Sequence, residues 1–420
     1  MKQIANRAGV SISTVSLVLN NRDIGRVSPD VAERVRAIAA ELGYLTNRLA
    51  SGLRTSSSRT IGFLSDEVAT TPFAGRMIEG AQDAARTLGY LLLTVGINSG
   101  AKSSDREILT LRQFGVDGFI YARMFNQKTM LPQSLQGCKV VLADSTDAAE
   151  VAPSIVPDEH SIGFKATSHL IDAGCTRIAY VGTMHNMVAQ PGRVSGYIDA
   201  LSEHGISFDP ELMINMDTGS DAAARMPAFF DKHPDVDGFF CFNDTRAWAI
   251  YTEATRRGLI IGKDIAVVGV DNHQVVAEAL DPPLSTVELP HYEMGYWAVG
   301  KLASLIEGEA PDPFPRAGYP VEKVQPPPLS EQSPQIECQL RIRLSLGPAP
   351  PPAIACPKIT HLSYLIRFRL YVEPVRPHYS RKKETRDKEE HHAPYHPTLS
   401  RQSSGRNACH RKPCDRGRLR

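Results

Sequence analysis

Three observations predict an α/β protein made of a small all-α helix-turn-helix domain, a two-lobed core of parallel sheets and a disordered C-terminal tail. Over the first sixty residues, amphipathic helical periods sit between glycine and serine punctuation. From Thr60 to about residue 312, short β-branched runs alternate with helical patterns, which is how parallel sheets covered on both faces read. Beyond about residue 316 the periodicity gives way to a stretch rich in Pro, Arg and His.

A chain of 420 residues has room for two or three domains, each with its own core. Its net charge of +1 conceals an Arg-rich start, a slightly acidic middle and a basic end. A local basic excess of this kind suits nucleic acid. The seven cysteines form no CxxC pair, and Cys138, Cys175 and Cys241 lie inside apolar runs, as reduced core thiols do. An apolar export leader and an eighteen-residue apolar run are both lacking, so the expected location is the cytoplasm, with no membrane partner.

Element by element, Lys2 to Ala8 suit a short helix and Gly9 a turn, and Ser11 is placed to cap a second helix whose Val15, Val18 and Leu19 point inward. Ser28 and Pro29 open a third helix with Val31, Val35, Ile38 and Leu42 on one face and Gly43 as its stop. The outward side of the second helix then carries Ile12, Ser13, Ser16 and Leu17, flanked by Thr14 and Asn20, groups suited to phosphate oxygens and base edges. Any small three-helix bundle also has a polar outer face. In "NRLASGLRTSSSRTIGF" a fourth short helix puts Ala50 and Leu53 on one face before a Ser/Thr linker.

The core reads as strands "TIGFLS", "YLLLTV", "DGFIYA", "KVVLA", "RIAYVG", "GFFCF" and "IAVVGV". Helices over Gly75–Leu88, Ser103–Phe114 and Ser161–Ala173 each end at a glycine. So many strands divide naturally into two lobes near Asp158. Ligands of such sheets bind at the carboxyl ends of strands, which draws attention to Asp66, Pro72, Phe73, Asp144, Asn243, Asp244, Asp271 and Asn272, with Arg193 at the start of a helix. Taken singly, each Asp or Asn reads as an ordinary loop or cap residue. Together, carboxylates, an amide, a guanidinium and an aromatic ring suit a sugar.

The motifs "IANRAGVSISTVSLVLN", "VSPDVAERVRAIAAELGY" and "NRLASGL" resemble the DNA-binding headpiece of the LacI family of bacterial transcription regulators. "IGFLSDEVATTPFAG", "GFFCFNDTRAWA", "IAVVGVDN" and "DPPLSTVELPHYEMGYWAVGKLASLIEG" resemble that family's effector-binding core, which is similar to periplasmic sugar-binding proteins. The resemblance implies phosphate contacts from Ser11, Thr14, Ser16 and Asn20, and base contacts from Ile12 and Ser13. It also implies a hinge helix whose Leu53 wedges into the minor groove, with Ala50 beside it. It places Phe73, Arg193, Asn243 and Asp271 at effector contacts, with Asp144 beside them, and it implies a homodimer on a palindromic operator. Leu17 stands where the family usually has Arg and so packs on a thymine methyl instead of gripping guanine. Thr46 replaces a usual Pro, and the family's capping Thr lies just upstream of Met1, a difference of about 1 kcal/mol for the first helix.

Other signals are weaker. "GINSGAKS" resembles a phosphate-binding loop, but its second Gly is one place early and Ala101 fills the required position. Asp244 and Asp271 lack a partner proton donor for a glycosidase, and "CHRKPC" lacks a second spaced pair for a metal. No catalytic residue, metal or cofactor is therefore expected. The domain plan is 1–46 helix-turn-helix, 47–59 hinge and linker, 60–158 first lobe with 286–312 returning to it, 159–285 second lobe, and 316–420 tail. Residues 321–420 hold about half the prolines and four of the cysteines, so the tail reads as disordered, from a reading frame lost near 316–325 or as a basic extension. On that view a chain ending near Pro315 is no less stable than the whole. The expected function is a repressor controlled by a small effector, sugar in preference to purine. The alternatives are a solute-binding module without DNA function and a frame-damaged, inactive regulator.

Overall fold

The computed structural model describes residues 1–44, 57–66, 71–97, 104–308 and 324–347, apart from the side chains of residues 72–74 and 104. Helices α1 (Lys2–Ala8), α2 (Ile12–Leu19) and α3 (Pro29–Glu41) close a small core of Ile4, Ala5, Ala8, Val15, Val18, Ala32, Val35 and Ala39. Gly9 ends α1 at φ 66°, a left-handed turn that glycine adopts without strain. The Ser11 hydroxyl then caps α2, accepting from the Thr14 amide at 3.0 Å. Met1 stands at the N-cap of α1, with no side-chain hydrogen bond to the helix.

The core consists of two six-stranded sheets. The first contains β1 (Thr60–Asp66), β2 (Leu91–Ile97), β3 (Gly118–Thr129), β4 (Val140–Asp147), β5 (Ser154–Pro157) and β11 (Gln335–Ile336), in the order β11-β5-β4-β3-β1-β2. Against it pack α4 (Pro72–Thr87), α5 (Ser104–Gln113) and α11 (His291–Glu307). The second contains β6 (Ile178–Gly182), β7 (Met213–Asn215), β8 (Gly238–Cys241), β9 (Ala266–Val270), β10 (Ser285–Glu288) and β12 (Gln339–Arg341), in the order β12-β10-β9-β8-β6-β7. It is covered by α6 (Glu159–Asp172) and α7 (Ala189–Glu203) on one face and by α8 (Ser220–Lys232), α9 (Asp244–Arg257) and the short α10 (Gln274–Ala277) on the other. All pairs are parallel except β10 with β12. Among the described residues the chain passes between the sheets three times, at β5–α6, β10–α11 and β11–β12.

One close approach shapes the site directly. A Cβ on Gly163 of α6 would lie 2.0 Å from the Arg193 carbonyl oxygen, and one on Gly196 of α7 would lie 2.0 Å from that of His160. The two glycines let these helices touch backbone to backbone, which brings the first residue of α6, Glu159, beside Arg193.

The expected tail needs correction over residues 324–347. Ile336 and Cys338 are 1% and 0% exposed, and β11 pairs with β5 while β12 pairs with β10. The alternation of Ile336, Cys338 and Leu340 fills both cores. Ser345 accepts from the Ser285 amide and donates to the Val267 carbonyl, each at 2.7 Å. The Arg343 guanidinium donates to Asn272 Oδ1 at 2.8 Å and to the Leu284 carbonyl at 2.9 Å. A frame lost near 316–325 would not supply a strand to each sheet, so that expectation fails here and the second lobe is finished at its edge. Residues 316–323 and 348–420 lie outside the described residues.

Candidate functional site

On the headpiece, α2 buries Val15 and Val18 and turns Ile12 (48% exposed) and Ser13 outward, with Ser16, Leu17 and Asn20 partly exposed. The hydroxyls of Ser11, Ser13 and Thr14 gather at its N-terminus, with Ser11 Oγ 3.0 Å from Ser13 and 2.9 Å from Thr14. The Asn20 amide folds back onto the Ser16 carbonyl at 2.7 Å. The helix carries no charged residue. The expected hinge residues Ala50 and Leu53 lie outside the described residues.

Between the lobes lies a cavity of about 290 Å³. It gathers four of the five expected effector residues: Asp144 from within β4, Arg193 from α7, Asn243 before α9 and Asp271 after β9. The fifth, Phe73, is in the first turn of α4, and its side chain is outside the description. A hollow of about 410 Å³ between α8 and α9 is larger but lies wholly on the second lobe, so it cannot sense their arrangement.

Arg193 is 3% exposed. Its Nε donates to Glu159 at 2.7 Å, its Nη1 donates to the Phe242 carbonyl, and its guanidinium lies 4.5 Å from the centre of the Phe242 ring. Asp144 Oδ1 and Oδ2 accept from the amides of Asn126 at 3.2 Å and Phe125 at 3.0 Å, which shapes the first lobe's wall. Asn126 in turn donates to Glu159 across the cleft at 3.2 Å, a direct link between lobes. Asn243 Oδ1 caps α9 and accepts from Arg246 Nη1 at 2.9 Å. Behind them Asp244 accepts from Thr286 at 2.6 Å and from the His273 amide at 2.7 Å.

Burial dominates the electrostatics. It raises the carboxyls of Asp144 and Asp271 well above the usual range, and Glu159 beside Asp144 and Asp244 beside Asp271 add to the effect. Burial pushes Asp244 up to about 7 and holds the His291 imidazole down at about 3, so His291 is neutral at physiological pH. Phe125, Asn126, Asp144, Asp271 and Asn272, at or beside the cavity, all have positive φ, a backbone state that costs non-glycine residues free energy.

Sequence reasoning missed Asn126, Glu159, Arg246 and His291. Glu159 is one residue past the lobe boundary that the sequence marks at Asp158, and a carboxylate that opens a helix leading toward an arginine helix was the available signal. Asn126 sits within the register shift of β3 between Ala122 and Gln127, which no period announces. Asp66, singled out after the first strand, pairs with Arg123 at 2.9 Å and accepts from the amide of cavity-lining Met124 at 3.1 Å, without lining the cavity itself. The phosphate-loop-like stretch falls largely on undescribed residues 98–103.

Two family models match the chain: bacterial regulatory proteins of the lacI family over residues 1–47, and the periplasmic binding proteins and sugar binding domain of LacI family over residues 58–315. The sucrose operon repressor of Escherichia coli is 30% identical over 317 residues, spanning 73% of this chain and 93% of that one. The structure of the transcriptional regulator CelR with cellobiose is 28% identical, with TM-score 0.55, covering 81% of this chain and 98% of that one. The lac repressor dimer bound to operator and the anti-inducer ONPF shares the fold at 22% identity, with TM-score 0.63, over 82% and 98% of the two chains.

Proposed function

The chain belongs to the LacI family of bacterial regulatory proteins, and from that premise we infer a repressor whose grip on operator DNA is set by a sugar held between its lobes. It is a DNA-binding transcription regulator that works as a dimer. A headpiece matched over residues 1–47 sets aside a solute-binding module without DNA function.

In this reading Ser11, Thr14, Ser16 and Asn20 hold phosphates, Ile12, Ser13 and Leu17 meet bases, and Ala50 and Leu53 act from the hinge. Phe73, Asp144, Arg193, Asn243 and Asp271 receive the effector, joined by Asn126, Glu159 and Arg246. The observation that carries the effector half is that residues from both lobes line one cavity. A ligand there contacts both lobes and so favours one arrangement of them. If DNA favours the other, each ligand weakens the other by the same factor. The cleft binds and needs no reaction, and a regulator that must reach DNA works in the cytoplasm. Among the described residues no helix is long and apolar enough to cross a membrane.

The test is DNA binding of the whole chain to sites selected from a random duplex pool, with and without a panel of sugars and purines. One sugar should change the affinity, and deletion of residues 1–58 should abolish DNA binding while leaving sugar binding intact. Sugar binding that leaves DNA affinity unchanged would overturn the linkage.

A further inference from the structure

Two arginines line the cavity, and their surroundings differ. Burial works against the charge of Arg193, but Glu159, which accepts from its Nε at 2.7 Å, and Asp271 outweigh the burial, so the guanidinium is held above its ordinary value. Arg246, in the first turn of α9 and 6% exposed, meets neutral acceptors instead. Its Nε donates to the Gly182 carbonyl and its Nη1 to Asn243 Oδ1, each at 2.9 Å. Among the described residues it forms no ion pair, and its Nη2 donates to nothing. Burial lowers this guanidinium from its ordinary value, and Cys241, Tyr180, Asp217 and Asp271 do not make up the loss. The Asp217 side chain is turned to His185 at 3.2 Å and is 45% exposed, while burial holds the Asp271 carboxyl toward its neutral form. A buried cation left with neutral partners is completed by a ligand that brings an anion.

We infer that the cleft takes a sugar acid, a polyhydroxy compound with one carboxylate, and that Arg246 is the residue that selects it over the neutral sugar. The inference rests on the sugar reading of the same cavity and narrows it. The carboxylate accepts from Nη2 and from the remaining N–H of Nη1, which makes the pair a charge-assisted one. The Thr218 hydroxyl on the same wall is a further donor, and the N-terminal end of α9 favours negative charge there. The number of open cations sets the charge of the ligand. Glu159 already neutralises Arg193, so one guanidinium is left to be matched. A carboxylate brings one negative charge, whereas a phosphate monoester brings about 1.5 to 2 near neutral pH, and its excess would face Glu159 and Asp217 with no cation to answer it.

The experiment is calorimetric titration of the full chain with glucose, galactose, ribose and sucrose, with gluconate, galactonate, glucuronate and galacturonate, with glucose 6-phosphate, and with adenine and guanine. One acid should bind about 10- to 100-fold more tightly than its parent sugar, the range of a hydrogen bond to a charged partner. Arg246→Gln should close that gap, and Arg246→Lys, which keeps the charge without the fork, should retain part of it. A neutral sugar that binds as tightly as its acid overturns the inference and leaves the sugar reading standing, as does a preference for the acid that survives Arg246→Gln. Glucose 6-phosphate that binds more tightly than every acid overturns the match to a single charge. A purine that binds when neither sugars nor acids do overturns the sugar reading itself, and the inference with it.

A second arm needs no ligand. Arg246→Gln should melt no lower than the parent at pH 8, because it removes an unmatched charge and leaves an amide to donate to the Gly182 carbonyl. Were Asp271 the counter-ion of Arg246, the variant would strand a buried carboxylate, and its deficit at pH 8 would close toward pH 5 as that carboxyl takes up a proton. A deficit of that form overturns the inference whatever the panel shows.

Discussion

At the scale of single residues, the buried Arg193–Glu159 pair is the contact on which the cleft depends. Its net contribution to stability is small, but removing one partner strands the other charge in a dry site at a cost of about 3–5 kcal/mol. Arg193→Ala should therefore lower the melting temperature sharply and abolish effector binding, whereas Glu159→Gln with Arg193→Met should recover much of the stability and none of the binding. Paired thermal melts and titrations separate the two effects. Asp244 makes a pH prediction with a definite sign. Its folded pKa, pushed up to about 7, lies above the unfolded value, so the stability that comes from the native carboxyl's tighter hold on its proton is fully present below about pH 4 and is lost as pH rises through about 7. Asp244→Asn keeps an acceptor for the His273 amide and turns its NH2 toward the Thr286 hydroxyl, which can accept from it. Its melting temperature relative to the parent should climb between pH 4 and pH 8, and a constant difference would show that Asp244 does not titrate in that window.

At the scale of elements, the long helices and buried strands were legible because their periods are strong: Gly75–Leu88 was expected where α4 runs from Pro72 to Thr87, and Ser103–Phe114 where α5 runs from Ser104 to Gln113. Short pieces such as β5 and β7, of four and three residues, are too brief to show a period. The effector residues were legible as polar groups at strand ends, but their partners were not, since Glu159 and Asn126 become site residues only when the lobes meet. Helix contact is the element-level control on that meeting. Gly163→Ala would set a methyl against the Arg193 carbonyl, force α6 off α7 and cost about 1–3 kcal/mol. The effector affinity should fall with it, because Glu159 moves away from Arg193; a melt that drops while affinity holds would uncouple the two. The α2 helix makes its own prediction, since without a charged residue it cannot fork onto guanine. In sites selected from random DNA, Leu17→Arg should bring in a guanine that the parent chain does not select.

At the scale of the whole molecule, the C-terminal segment reverses an expectation drawn from composition. Averaged over a hundred residues, prolines and basic groups hide a stretch of about a dozen, "QIECQLRIRLSL", in which Ile336, Cys338 and Leu340 alternate as a strand requires. That stretch covers β5 at the edge of one sheet and β10 at the edge of the other, and it supplies the third passage between the lobes. It is anchored on the first lobe by Lys301, which donates to the Leu329 and Glu331 carbonyls at 2.7 and 2.8 Å. On the second lobe it is anchored by Arg341, which pairs with Glu288 at 2.5 Å, while Glu288 also meets Arg76 of the first lobe at 3.1 Å. Through Arg343 and Asn272 it also steadies the turn that presents Asp271 to the cavity. A chain ending at Pro315 loses all of these at once: two sheet edges are bared, Ile336 and Cys338 leave their cores, and a connection between lobes is gone. It should melt well below the full chain, aggregate, and fail to bind effector, whereas a chain ending at Gly347 should keep both the melting temperature and the affinity. Should the shorter chain melt as high as the longer one, the segment would be an ornament on a finished core and the coupling drawn here between the C-terminal strands and the cleft would fall.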